Sequence, residues 1–110
     1  MNSKSPSARV KDIEGQVNRI LRRVNMDEVP EKGRRAISEL KQNLIDSRIY
    51  TQDYELSEMR QEQLDNAKKA KKWLNSSRAQ VLRASEFDVF GAIDVAQLSA
   101  EIETVIVDLK

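Results

Sequence analysis

Apolar residues recur along this chain at helical spacing. Val10, Ile13, Val17, Ile20 and Val24 step by 3, 4, 3 and 4, which keeps all of them on one stripe of a helix, and Leu21 widens it. The spacing predicts a first helix over 8–25. Ser7 is its expected N-cap, because a hydroxyl there accepts from the orphan N–H groups of the first turn. Gly15 falls off the stripe and costs about 1 kcal/mol against Ala inside a helix. Residues 25–30 break the pattern. Pro30, with no N–H and a fixed φ, suits the first position of a new helix, and Glu28 and Glu31 suit its positive dipole end. Ile37, Leu40 and Leu44 resume the 3, 4 spacing with Ala36, Ile45 and Ile49 beside them, predicting a second helix over 30–49, antiparallel to the first.

Tyr50-Thr51-Gln52-Asp53 reads as a second turn or a bend. From Tyr54 to Ala84 only Asn75-Ser76-Ser77 interrupts helix formers, and the buried stripe is thin: Leu56, Met59, Ala67, Ala70, Leu74, Val81 and Ala84, with Gln63 and Ser77 diluting it. A continuous third helix over 54–84 is the reading adopted, with a break near Asn75 as the alternative. Unbroken, it spans about 46 Å at the α-helical rise, whereas a compact chain of this size has a radius of gyration of about 13 Å. Its polar stretch 57–72 then needs a partner or solvent on both sides. After a turn at 86–91 carrying Phe87 and Phe90, Asp94 and Gln97 form a variant capping box, with Ile93 and Leu98 as its staple. Val95, Leu98, Ile102, Val105 and Leu109 again step by 3, 4, 3 and 4. Thr104-Val105-Ile106-Val107 alone reads as strand, but the sustained stripe predicts a fourth helix over 95–109.

The fold class that follows is all-α: a helical hairpin, a long helix and a C-terminal helix in an irregular four-helix bundle. Residues 1–7 are expected to be a disordered lead, and 8–110 a single domain. A length of 110 residues, 39% hydrophobic and 34% charged, suits one small core. No run approaches the roughly 18 apolar residues of a membrane span, and no apolar segment behind Met1 reads as a signal peptide. A cytoplasmic setting is the default expectation. The counts of zero Cys and zero His remove the usual ligands of zinc and haem and the usual base of catalytic triads. No Gly-rich phosphate loop or nucleophile elbow is present. Glu58, Glu62 and Asp65 share a helical edge, an arrangement that a solvated face explains as well as a magnesium site. Neither catalysis nor a metal or cofactor is expected.

Charge is uneven although the net is +1. Residues 53–65 hold five acids against Arg60, a net of −4; residues 66–83 hold six bases and no acid, +6; residues 84–110 hold six acids against Lys110, −5. The first 49 residues hold 11 bases and 7 acids, or +4. The candidate partner or nucleic-acid contacts are therefore Arg22, Arg23, Arg34, Arg35, Lys68, Lys69, Lys71, Lys72 and Arg78, with Trp73 as a ring on which a base could stack. Lys68 and Lys72 share a face, while Lys69 and Lys71 point elsewhere. That spread is unlike a single phosphate-tracking stripe. The other reading is that the acidic tail folds along the basic stretch and screens it, or that solvent does. Trp73 beside Leu74 also reads as half-buried packing, and Tyr50 with Tyr54 as an aromatic spot against the second helix.

Asp12-Ile13-Glu14-Gly15-Gln16-Val17 resembles the opening helix of the copper- and formaldehyde-sensing repressors, a family of small all-helical DNA-binding oligomers. The likeness covers about a dozen residues. The sensing Cys and His ligands of that family have no counterpart here, so metal or aldehyde sensing does not follow. The expectation carried forward is a non-enzymatic protein–protein interaction, regulatory or adaptor module. It is expected to be homodimeric through the regular seams of the first and fourth helices. The alternative is a small nucleic-acid-binding regulator using the basic patches.

Overall fold

The computed structural model describes residues 4–109, and among them the regular structure is helical throughout. The elements are α1 (Pro6–Leu21), α2 (Glu31–Leu56), α3 (Arg60–Ser85) and α4 (Ala92–Asp108), with a short 3-10 turn, Met26–Glu28, between the first two. The irregular all-α four-helix bundle predicted from periodicity is observed. Its boundaries differ in instructive ways.

The largest difference is in the middle of the chain. Residues 50–53 form no turn; α2 continues through them for 26 residues to Leu56. The stripe that holds it in place is Ile37, Leu40, Leu44, Ser47 and Thr51, again at 3 and 4 spacing, and all five are buried. Ser47 and Thr51 enter the core without cost to their hydroxyls. Ser47 Oγ donates to the carbonyl of Asn43 at 2.7 Å, and Thr51 Oγ1 to that of Arg48 at 2.9 Å, so neither hydroxyl is stranded. The bend falls instead at Ser57-Glu58-Met59, and α3 starts at Arg60.

Once begun, α3 runs for 26 residues straight through Asn75-Ser76-Ser77. Ser77 solves the same problem the same way, donating to the Trp73 carbonyl at 2.8 Å. Its buried stripe, Ala67, Ala70, Leu74, Ser77, Val81 and Ala84, is made mostly of small side chains, which let the axes of α2 and α3 approach. Asn43 Nδ2 donates across the seam to Ser76 Oγ at 2.8 Å. Two equal helices of about 39 Å each thus form one antiparallel hairpin, the dominant helix pair of the molecule. A long α3 does not project alone, because α2 is just as long. The body measures 48 × 28 × 17 Å, with a radius of gyration of 14.2 Å.

The shorter α1 and α4 complete the bundle. Each helix packs on its chain neighbour, and α4 closes back on α1. Val10, Ile13 and Val17 of α1 meet Leu98, Ile102 and Val105 of α4 in the shared core, all of them 1% exposed or less. Each such aliphatic side chain contributes about 1.5–3 kcal/mol on burial. Polar ties pin the ends. Ser7 donates to Glu55 through its backbone N–H at 2.9 Å and its Oγ at 2.6 Å. Arg48 Nε donates to Glu14 at 2.6 Å, and Arg9 pairs with Asp108.

Helix starts are also corrected. Ser5, not Ser7, caps α1, its Oγ accepting from the Ala8 N–H at 3.3 Å. Pro6 and Ser7 are therefore helical; of the expected disordered lead, residues 1–3 lie outside the described residues. Leu21 ends α1 ahead of the predicted 25, and Val24 still packs against the core from the following turn. Pro30 stands at the cap of α2 rather than at its first helical position. At α4 the cap is Gly91, whose N–H donates to the Asp94 carboxylate at 3.3 Å. Asp94 is thus the acid three residues into the helix. Ile93 is no staple: it is 82% exposed, and the positions flanking the true cap are Phe90, buried, and Val95, packed on the core. Asp88 adopts φ 61° in the preceding turn, the left-handed region that Asp tolerates better than most residues. No helix among the described residues is long and apolar enough to cross a membrane.

Candidate interaction surface

With its bend at 57–59, the hairpin carries a cluster of uncovered apolar side chains at one end. Leu56 closes α2 at 79% exposed and Met59 begins α3 at 63%. Leu64, a little over a turn into α3, and Ile49, two turns back on α2, are exposed as well. Placed in a third helix starting at Tyr54, Leu56 and Met59 read as members of its buried stripe. With α2 extended, they fall outside the stripes that both helices bury. The signal for this lay in the sequence: Ser47 and Thr51 prolong the α2 stripe, provided that small hydroxyl residues count as core.

Around this tip the side chains are acidic. Asp53, Glu58, Glu62 and Asp65 are exposed, and Glu55 is engaged by Ser7. Asp65 accepts from Gln61 Nε2 at 3.1 Å. No cluster of acidic side chains able to hold a metal ion occurs among the described residues.

The ten sequence-selected residues separate into two groups. Arg22, Arg23, Arg34 and Arg35 lie at the opposite end of the bundle from the hairpin tip, around the α1–α2 connection, and Arg35 is paired there with Glu31 at 3.4 Å. Lys68, Lys69, Lys71, Lys72 and Trp73 lie on the tip-proximal half of α3, about 20 Å away along the axis at the α-helical rise. Arg78 is drawn to α4 by Glu103 and to Asn75 Oδ1 at 2.7 Å. No single phosphate track joins the groups.

Two of the lysines are set over aromatic rings. Lys69 Nζ is 5.5 Å from the Tyr50 ring centroid, and Lys72 Nζ is 5.3 Å from that of Trp73, within cation–π range. Trp73 is half-buried, and the lysine covers a face of the ring expected to stack on a base. The acidic tail reaches only part of the basic stretch: Glu103 takes Arg78, while Asp108 and Glu101 turn to Arg9 and Gln16 of α1. Lys68, Lys69, Lys71 and Lys72 make no ion pair among the described residues.

A cleft of about 360 Å³ between α1 and α4, lined by Arg9, Asp12, Gln16, Glu101 and Thr104, is largely self-satisfied. Gln16 donates to Glu101 at 2.5 Å and Lys4 pairs with Asp12 at 2.6 Å. The α1 and α4 seams expected to join two chains are buried inside one. No protein-family model matches the chain, and neither a curated protein nor a solved structure matches it.

Proposed function

We propose that this chain is a non-catalytic interaction module of the regulatory or adaptor kind, which works by presenting the α2–α3 hairpin tip to another protein. The observation that carries the reading is the exposure of Leu56 and Met59, together with Leu64, close in the chain at the tip of the hairpin, whereas Ile49 and Leu82 are exposed singly along it. Clustered apolar side chains left in water mark interaction sites, whereas scattered ones need no explanation. A protein partner fits better than nucleic acid, because the tip carries carboxylates, which repel phosphates, and the basic residues are divided between two ends. The lack of cysteine fits a reducing cytoplasmic setting.

The test is capture of partners by the tagged full chain with mass spectrometry, beside two exposed-surface variants. Leu56→Asp combined with Met59→Asp is expected to abolish capture. Lys68, Lys69, Lys71 and Lys72 changed together to Glu leave the apolar tip intact, and loss of capture in that variant alone would return the basic stretch to first place. DNA or RNA binding that weakens linearly in log salt, and is measurable at about 50 mM salt, would establish the nucleic-acid alternative.

A further inference from the structure

We infer that the protein seated on this surface is a second copy of the same chain, crossing antiparallel on α3 about a two-fold axis between Asn66 and Ala67. This rests on the tip being a docking surface and specifies its occupant. The ground for it is self-complementary charge. Gln61, Asp65, Lys68 and Lys72 step by 4, 3 and 4, which puts them on one stripe of α3, and all four are exposed. Reversing the helix and laying it on itself sets Asp65 opposite Lys68 of the second copy and Gln61 opposite Lys72 of the second copy. The two-fold makes each pairing twice.

The wider surroundings agree. Along α3 itself, Glu62 and Asp65 precede Lys68, Lys69, Lys71 and Lys72, so a complementary surface is basic and then acidic along the same line. The chain read backwards has that order. Two tips meeting end to end would oppose −4 with −4, and a uniformly basic partner would meet Lys68 within one turn of Asp65; like charges set face to face are strongly unfavourable. Within one chain, Asp65 takes only the Gln61 amide, and Lys68 makes no ion pair among the described residues. The exposed Leu64 borders this stripe on the acidic side of the axis, where the apolar stems of the opposing lysines can cover it while the ammonium groups stay in water. A closed two-fold pair is also the commonest assembly of identical chains.

The experiment is sedimentation equilibrium of the full chain, up to about 1 mM at low salt, where even weak specific association is visible. The expected result is a dimer that weakens as salt rises. Lys68→Glu sets Glu against Asp65 at both symmetric positions and should raise the dissociation constant about tenfold or more. Adding Asp65→Lys to that variant exchanges the charges and should bring the constant back to within about threefold of the original. Circular dichroism confirms that each variant keeps its helices, which exposed substitutions should allow. A mass of 12.6 kDa at every concentration overturns the inference. So does a dimer indifferent to Lys68→Glu, or a charge exchange that fails to restore association. If the chain stays monomeric while the Leu56→Asp, Met59→Asp variant still loses a captured protein, the tip remains a docking surface for a different partner.

Discussion

The same substitution, Gly to Ala, should stabilise this protein at one site and destabilise it at another. Gly15 lies inside α1, and a Cβ built there meets only the end of the Arg19 side chain, at 3.5 Å. That is ordinary contact with a movable group. Removing the backbone freedom of an interior helical glycine is then unopposed and adds about 1 kcal/mol. Gly33 is the third residue of α2 and is buried. A Cβ there falls 2.7 Å from Val29 Cγ1 and 3.1 Å from both Cβ and Cγ of Phe87. Val29 Cγ1 can rotate aside, but Phe87 Cβ is fixed to its backbone, so the turn after α3 must give by a few tenths of an ångström. Overpacking of this kind costs about 1–3 kcal/mol, and the helical gain in a first turn offsets less than about 1 kcal/mol of it. At a per-residue unfolding entropy of about 2 cal/mol/K, a chain of this length moves its Tm by about 4 °C per kcal/mol. Differential scanning calorimetry should therefore show Gly15→Ala melting about 4 °C higher and Gly33→Ala melting lower than the parent. Two upward shifts of equal size would refute the claim that Gly33 is glycine to admit Phe87.

Other substitutions probe the remaining corrections. In urea titrations, Ile102→Ala should cost about 2–5 kcal/mol through its cavity, whereas Ile93→Ala should stay within about 0.5 kcal/mol of the parent; a large cost at Ile93 would restore it as a staple. Glu55→Ala should remove about 1 kcal/mol and lower amide-exchange protection in the first turn of α1, because two hydrogen bonds from Ser7 lose their acceptor. Arg9 is 8% exposed, and its Nε has no hydrogen-bond partner. Arg9→Met should therefore be close to neutral in chemical denaturation, while Asp108→Ala, which strands the guanidinium, should cost about 1–3 kcal/mol.

Several features of the bundle are legible in the amino-acid order alone. The α1 and α4 stripes and the α2 stripe as far as Leu44 appear in the core where their spacing put them, because aliphatic residues at 3 and 4 intervals have one way to leave water together. The continuity of α3 across Asn75-Ser76-Ser77 was only half readable: nothing there breaks a helix outright, but the polar run leaves a break near Asn75 open. The hairpin bend was not. Tyr50-Thr51-Gln52-Asp53 and Ser57-Glu58-Met59 are similar in polarity, and choosing between them requires knowing that Ser47, Thr51 and Ser77 are buried. Their hydroxyls are satisfied by their own helices, so local composition registers them as surface.

A bend at 50–53 places Leu56 and Met59 in the core, whereas the observed bend at 57–59 leaves both in water. What the amino-acid order determined alone was the class of fold, four amphipathic helices, because that property depends on spacing and residue type. What only tertiary packing decided was where two equal helices turn back on each other. That choice depends on how closely small side chains let their axes approach, and it determines which apolar residues remain in water.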